Sequence, residues 1–92
     1  MLTAIVLVNA DVDRIPEVAQ AISDLEGVSE VYSVTGDIDL VAIVRVHEYD
    51  DLATVVSDRL GKVEGVRTMR THLAFRSFSK VDLEEAFHIG LS

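Results

Sequence analysis

The side chains that most often carry out catalysis are few and scattered in this sequence. It contains no cysteine, and its histidines, His47, His72 and His88, lie far apart along the chain. A nucleophilic site needs a serine or cysteine beside a base that a third group orients, and a structural zinc site needs closely spaced Cys or His ligands. Because neither pattern occurs, the sequence predicts no catalytic residue, no metal site and no cofactor.

Acidic residues form three close pairs, one of which lies in a setting that suits a ligand. Two carboxylates divide acid and base roles only where burial separates their pKa values, and acidic turn residues are usually solvated. The exception is the segment Thr35-Gly36-Asp37-Ile38-Asp39, which lies between two apolar runs. A glycine-containing hairpin tip either presents backbone N–H groups and carboxylates to a small molecule or is a solvated turn. The pairs are Asp11 with Asp13, Asp37 with Asp39, and Glu84 with Glu85.

The charge balance argues against nucleic acid as a direct partner. The formal net charge is −8, whereas affinity for nucleic acid comes largely from Lys and Arg side chains that displace counterions. Four of the eight basic residues cluster at Arg59, Lys62, Arg67 and Arg70, and we interpret them as solvated strand and loop edges. We therefore expect no direct binding to DNA.

Length and hydropathy predict one folded domain in the cytoplasm. At 92 residues and 49 % hydrophobic, the chain is too short for two cores and too apolar for disorder. Its apolar N-terminal run stops at Asn9, too early for a signal peptide or a membrane span. We expect a single domain over residues 1–92, with a core over about 1–79 and an extension over 80–92.

The hydrophobic pattern predicts strands and amphipathic helices in the order βαββαβ. Apolar runs predict strands over residues 2–8, 28–35, 40–46 and 66–78, with a tight turn at Gly36-Asp37. Apolar residues at helical spacing predict helices over 15–25 and 52–60, and a sequence close to a capping box at Ser79 predicts a short C-terminal helix.

Two matching segments support a ferredoxin-like α+β fold with a four-stranded antiparallel sheet. Leu25-Glu26-Gly27-Val28 is echoed by Val63-Glu64-Gly65-Val66, which indicates two related halves. Two helices cover only one face of such a sheet, yet the first and third strands are apolar on both faces. Leaving the second face bare would expose a larger apolar patch than monomers usually show, so we expect a homodimer with facing sheets.

With these elements in place, the chain resembles the ligand-binding (RAM) domain of Lrp/AsnC regulators over nearly its whole length. The resemblance rests on a Gly-Asp-x-Asp hairpin at residues 34–41 and on a Gly-Val segment that leads into a Thr-x-Thr-like strand at residues 65–73. Ile38 stands where family members commonly have an aromatic residue. Met69 stands at the first threonine position, and Thr71 occupies the second.

The resemblance implies an assembly and a ligand site. Dimers would form through the sheet face and join into larger rings, and an amino-acid effector would bind between dimers. We also expect a stand-alone form without the helix-turn-helix domain, because the first strand begins at residue 2. The implied ligand-binding residues are Thr35, Gly36, Asp37, Ile38, Asp39, Met69 and Thr71.

The leading hypothesis is an effector-binding regulatory module, not an enzyme, that senses an amino acid or related metabolite and modulates transcription through a full-length Lrp/AsnC regulator. A structural oligomerisation module without a ligand is one alternative. The other is a small dimeric α+β barrel enzyme, which would line an enclosed pocket with His, Asn or Trp, although this chain has no tryptophan.

Overall fold

A computed structural model of the chain describes residues 1–80. The strands are β1 (Leu2–Ala10), β2 (Val28–Ser33), β3 (Leu40–Val46) and β4 (Val66–Leu73), and they form one antiparallel sheet in the spatial order β2-β3-β1-β4. Helix α1 (Ile15–Ser23) joins β1 to β2 after a short 3-10 turn (Val12–Arg14), and a second helical segment joins β3 to β4. This order confirms the ferredoxin-like α+β fold. The predicted C-terminal helix lies outside the described residues.

Both helical segments pack on the same face of the sheet. On β1, the side chains of Ala4, Val6, Val8 and Ala10 point into the core and are at most 3 % exposed, whereas Ile5 on the other face is 36 % exposed. The alternation arises because successive residues of a strand point to opposite faces. The remaining core residues are Leu40, Ala42, Val44 and Val46 of β3 with Val18, Ile22, Leu52, Val55, Val56 and Leu60 of the helical segments.

The second helical segment differs from the single helix predicted over residues 52–60. It begins earlier, as α2 (Tyr49–Ala53), widens into a π-helical turn (Thr54–Arg59) and ends in a 3-10 turn (Leu60–Lys62). The Leu60 N–H donates to the carbonyls of both Val55 and Val56. Both of these valines are buried although they are adjacent in sequence, and a wider turn accommodates this better than a regular α-helix.

The glycines of the echoed segments hold the two halves together in the same way. Gly27 and Gly65 have φ of +96° and +97°. A Cβ on Gly27 would lie 2.6 Å from Cγ2 of Val55, and a Cβ on Gly65 would lie 2.5 Å from Cγ2 of Val18. Each loop therefore packs against the helical segment of the other half, at a distance that only glycine permits.

The last strand is shorter than predicted. β4 ends at Leu73 instead of residue 78: Ala4 pairs with Leu73, and one further bond follows, from the Ala74 N–H to the Thr3 carbonyl. In this register Leu2, the first residue of β1, would lie opposite residue 75, so β1 has no partner for residues 76–78. β2 likewise ends at Ser33 instead of residue 35. No helix within residues 1–80 is long and apolar enough to cross a membrane.

Candidate ligand-binding site

The connection between β2 and β3 forms an open hairpin tip at one end of the sheet. It spans residues 34–39, longer than the tight turn predicted. The Val34 N–H donates to the Asp39 carbonyl at 3.0 Å. Gly36 has a φ of +108°, and a Cβ there would have no heavy atom within 4 Å. Thr35, Gly36 and Asp37 are exposed, so the tip offers backbone N–H groups and a carboxylate to an approaching molecule.

Asp39 holds the hairpin against the end of β1. Its Oδ2 accepts a hydrogen bond from the Ala10 N–H at 2.9 Å, and its own N–H donates to the Val8 carbonyl at 3.0 Å. A carboxylate that accepts a backbone N–H stabilises the local structure without any ligand. The sequence pattern did not reveal this bond, because 29 residues separate the two partners.

Met69 and Thr71 lie on the side of β4 that faces the helices. Met69 pairs with Val8 and Thr71 with Val6 in the β1–β4 register, as the predicted alternation requires. Met69 is half-buried and packs on the core, with its Cε 3.0 Å from the position of a Cβ on Gly61. Thr71 is exposed and lines an open groove of about 240 Å³ with residues of the second helical segment.

The hairpin tip and Thr71 stay apart within one chain. β1 lies between β3 and β4, which separates the two strands by about 10 Å across the sheet. Asp39 is bound beside Ala10, whereas Thr71 pairs further along β1 with Val6. Ile38, the remaining predicted site residue, is half-buried next to Asp39. One chain alone therefore does not join the seven predicted residues into one pocket.

The sheet face away from the helices is an open apolar surface. Ile5 pairs with Ile43 and Leu7 with Val41, and none of these four side chains falls in the buried core. They form a continuous stripe along the two central strands. The surface matches the two-sided apolar strands predicted from the sequence.

A polar group borders this apolar stripe on the β2 side. Tyr32 donates a hydrogen bond to Glu30, and Arg45 forms an ion pair with Glu30 at 3.2 Å. The Tyr32 hydrogen bond, with help from Arg45, lowers the pKa of Glu30. The same bond to Glu30 raises the pKa of Tyr32. Sequence reasoning missed this group, although Glu30 and Tyr32 are two residues apart on β2 and therefore lie on the same face of the strand.

Sequence reasoning also missed a charged groove at the opposite end of the sheet. The cavity has a volume of about 370 Å³ and opens between the end of β3, the loop after α1 and the second helical segment. Its polar lining includes Glu26, Arg45, His47, Asp51 and Arg59. These residues come from three separate elements and share no motif. Within residues 1–80, no cluster of three acidic or histidine side chains could hold a metal ion.

The order and pairing of the elements define a ferredoxin-like α+β domain with one open apolar sheet face. Residues 3–82 match the family described as the Lrp/AsnC ligand binding domain, and the chain belongs to that family. The HTH-type transcriptional regulator LrpA of Pyrococcus horikoshii is 32 % identical over 65 residues, which cover 71 % of this chain and 46 % of that protein. The chain thus spans about half the length of the curated relatives it matches.

Solved structures show the same fold. The protein TTHA0845 from Thermus thermophilus superimposes with a TM-score of 0.81 and 42 % identity, over 87 % of this chain and 100 % of that chain. The feast or famine regulatory protein of M. tuberculosis, complexed with L-methionine, superimposes with a TM-score of 0.71 and 25 % identity. That match covers 87 % of this chain and 54 % of the other. The family and fold predicted from the sequence are confirmed.

Proposed function

We propose that this chain is a stand-alone, cytoplasmic effector-binding regulatory module that senses an amino acid or a related small metabolite at an interface between subunits. Membership of the Lrp/AsnC ligand-binding domain family is the observation that carries the proposal. The L-methionine bound to the M. tuberculosis protein supports the class of ligand. No enzymatic activity is proposed, because the curated relatives are named as transcription regulators.

The module would act on transcription through a partner. Its relatives are named as HTH-type regulators, whereas a chain with a net charge of −8 has little attraction for phosphates. A full-length Lrp/AsnC regulator shares this domain and is the natural partner for mixed assembly. The expected regulatory step is a change in that assembly when the effector binds.

Assembly would begin at the open sheet face. A second copy placed on the stripe of Ile5, Leu7, Val41 and Ile43 would remove these side chains from water, which stabilises a dimer by about 25 cal/mol for each Å² of apolar area buried. Two-fold pairing of identical faces is the commonest arrangement for small soluble proteins. We therefore propose a homodimer with facing sheets, which can join into larger oligomers.

The effector would bind where the hairpin tip of one subunit meets the Thr71 strand of another. Backbone N–H groups near Gly36 and the Thr71 hydroxyl are suitable donors for an α-carboxylate, and Asp37 and Asp39 are suitable acceptors for an α-ammonium. The separation of these groups within one chain supports a shared pocket. A ligand that contacts two subunits favours the associated state and thereby couples effector concentration to assembly.

A ligand-free oligomerisation module is the second candidate. It is favoured by the contacts of Asp39 with Ala10 and of Met69 with the core, which give two predicted site residues a structural role without any effector. In that case the open sheet face alone would explain the function. The two candidates differ in whether any amino acid binds.

Calorimetric titration with a panel of amino acids separates them. We expect binding to the wild type, loss of binding at the hairpin site in Gly36→Val, and hairpin-site binding to Asp39→Asn that is weaker by about ten-fold or more, because a charge-assisted hydrogen bond is lost. Asp24→Asn is the matched control, since it removes an exposed carboxylate at the end of α1. If no amino acid binds the wild type at about 10 mM, the oligomerisation module is the better account. If binding survives unchanged in both site variants, the assignment of the hairpin site is wrong.

A further inference from the structure

We propose that the charged groove at the Val46 end of β3 is a second binding site, for a zwitterionic ligand of the α-amino-acid class. It lies about 20 Å from the hairpin tip, because β3 runs from Leu40 at the hairpin to Val46 at the groove. The inference rests on the proposed function only for the class of ligand. Its location and its residues are independent of the hairpin site.

The groove carries opposite charges that do not neutralise each other. Two carboxylates, Glu26 and Asp51, and two cations, Arg45 and Arg59, line it. Arg45 is paired with Glu30, and within residues 1–80 neither groove carboxylate forms an ion pair with an arginine. Side chains of opposite charge thus face one cavity across a gap. A ligand with a charge of each sign could bridge that gap, whereas a dianion would meet the two carboxylates.

Arg59 is held in position to receive a carboxylate. Its Nη1 donates to the Glu26 carbonyl at 2.9 Å, which ties the end of the second helical segment to the loop after α1. A guanidinium fixed through one nitrogen keeps other N–H groups for a planar carboxylate. The ammonium of the same ligand would then be placed near the carboxylates of Glu26 and Asp51.

The floor of the groove is apolar and rigid. Val46 and Val55 line it and are 7 % and 2 % exposed. A Cβ on Gly27 would lie 2.6 Å from Cγ2 of Val55, so the loop that forms one wall packs closely on this floor. The volume of about 370 Å³ lies near the lower end of the range for small-molecule sites, about 300–1,000 Å³. Such a cavity suits an amino acid with an apolar side chain of moderate size.

The groove differs from the hairpin site because one chain supplies every group. The donor, the acceptors and the apolar floor come from the loop after α1, the end of β3 and the second helical segment of the same subunit. Binding there should therefore not depend on protein concentration, whereas binding at a shared interface should weaken when dilution separates the subunits.

Titration calorimetry with L-methionine tests the inference on two matched pairs of variants. Arg59→Met and Asp51→Asn should each weaken binding by about ten-fold or more, because each removes a charged partner of the ligand. Lys62→Met and Asp50→Asn make the same chemical changes at neighbouring exposed positions outside the groove and should leave binding unchanged. Asp51→Asn keeps the shape of the side chain, so it decides the question if Arg59→Met fails to fold.

Gly36→Val, measured alongside, distinguishes the two sites. Weaker binding in the groove variants Arg59→Met and Asp51→Asn, with normal binding in Gly36→Val, supports the groove. If both sites bind L-methionine, the stoichiometry should fall by half in the groove variants and also in Gly36→Val. Loss in Gly36→Val with normal binding in both groove variants overturns this inference and leaves the proposed function standing. If L-methionine does not bind the wild type at about 10 mM, the groove inference is wrong, and the proposed function is decided by the rest of the amino-acid panel. N-acetyl-L-methionine, which lacks the ammonium, should bind about ten-fold more weakly than L-methionine or worse, and equal affinity would also overturn the zwitterion site.

Discussion

Replacing Gly27 with alanine tests how the two halves of the fold are held together. Gly27 has a φ of +96°, and the new Cβ would lie 2.6 Å from Cγ2 of Val55, closer than real Cβ contacts come. Either the loop or the buried valine must move. We expect a clear loss in the free energy of unfolding, although the position is in a loop and the substitution adds only a methyl group.

Two effects contribute to that loss. An alanine held at positive φ costs about 1–2 kcal/mol, and overpacking a close contact costs about 1–3 kcal/mol more. The expected sum of about 2–5 kcal/mol is a large part of the 5–15 kcal/mol that stabilises a typical domain. Gly36→Ala is the matched control, because Gly36 also has a positive φ but no heavy atom within 4 Å of a Cβ. Gly36→Ala should therefore show only the cost of holding alanine at positive φ.

Urea unfolding followed by circular dichroism measures both variants, at one protein concentration because assembly also contributes to stability. The variant Val55→Ala removes the side chain that the new methyl group meets. In that background, Gly27→Ala should cost at least about 1 kcal/mol less than in the wild type. Equal losses for Gly27→Ala and Gly36→Ala would refute the steric reasoning, as would purely additive effects of Gly27→Ala and Val55→Ala.

Three further predictions concern assembly, pH and nucleic acid. Ile5→Asp should weaken the homodimer by about a hundred-fold, since burying an unpaired charge costs several kcal/mol. Ala21→Asp, which adds the same charge at an exposed position of α1, is the control. Equal sedimentation of the two variants would contradict the prediction. Glu30 has a lowered pKa, so its stabilising contribution should be complete above the usual value of 4.5 and disappear as the pH falls through the lowered value. Glu30→Gln should therefore flatten the acid side of the stability profile, and an unchanged profile would argue against the interaction with Tyr32 and Arg45. Purified protein should not shift duplex DNA near physiological salt, and a salt-sensitive shift would overturn the proposed indirect route to transcription.

The sheet was predictable because its signal is local. Apolar residues on both faces of β1 and β3 marked the central strands, and alternation in β4 correctly placed Met69 and Thr71 on the helix side. The end of β4 was not predictable from its own residues. It depends on the neighbouring strand, since β1 begins at Leu2 and has no partner for residues beyond 75, and the apolar residues Phe75 and Phe78 both fall outside β4.

The candidate site was less predictable because its parts meet only in three dimensions. The segment from Thr35 to Asp39 was recognisable as a hairpin tip, but the bond from Ala10 to Asp39 joins residues 29 positions apart. The charged groove combines Glu26, Asp51 and Arg59 from separate elements. No spacing rule connects them, and they meet where the loop after α1 lies against the second helical segment, with Arg59 bound to the Glu26 carbonyl.

The central claim is that an effector site is shared between subunits, and subunit exchange tests it most directly. Gly36→Val and Thr71→Val chains, each with the shared site inactive when pure, are dissociated and mixed in equal amounts, with exchange verified by native mass spectrometry. Random reassembly should restore both groups in about one quarter of the shared sites, with wild-type affinity by calorimetry. Fully exchanged subunits that bind no more amino acid than the pure variants, or single variants that bind as well as the wild type, would contradict a shared site.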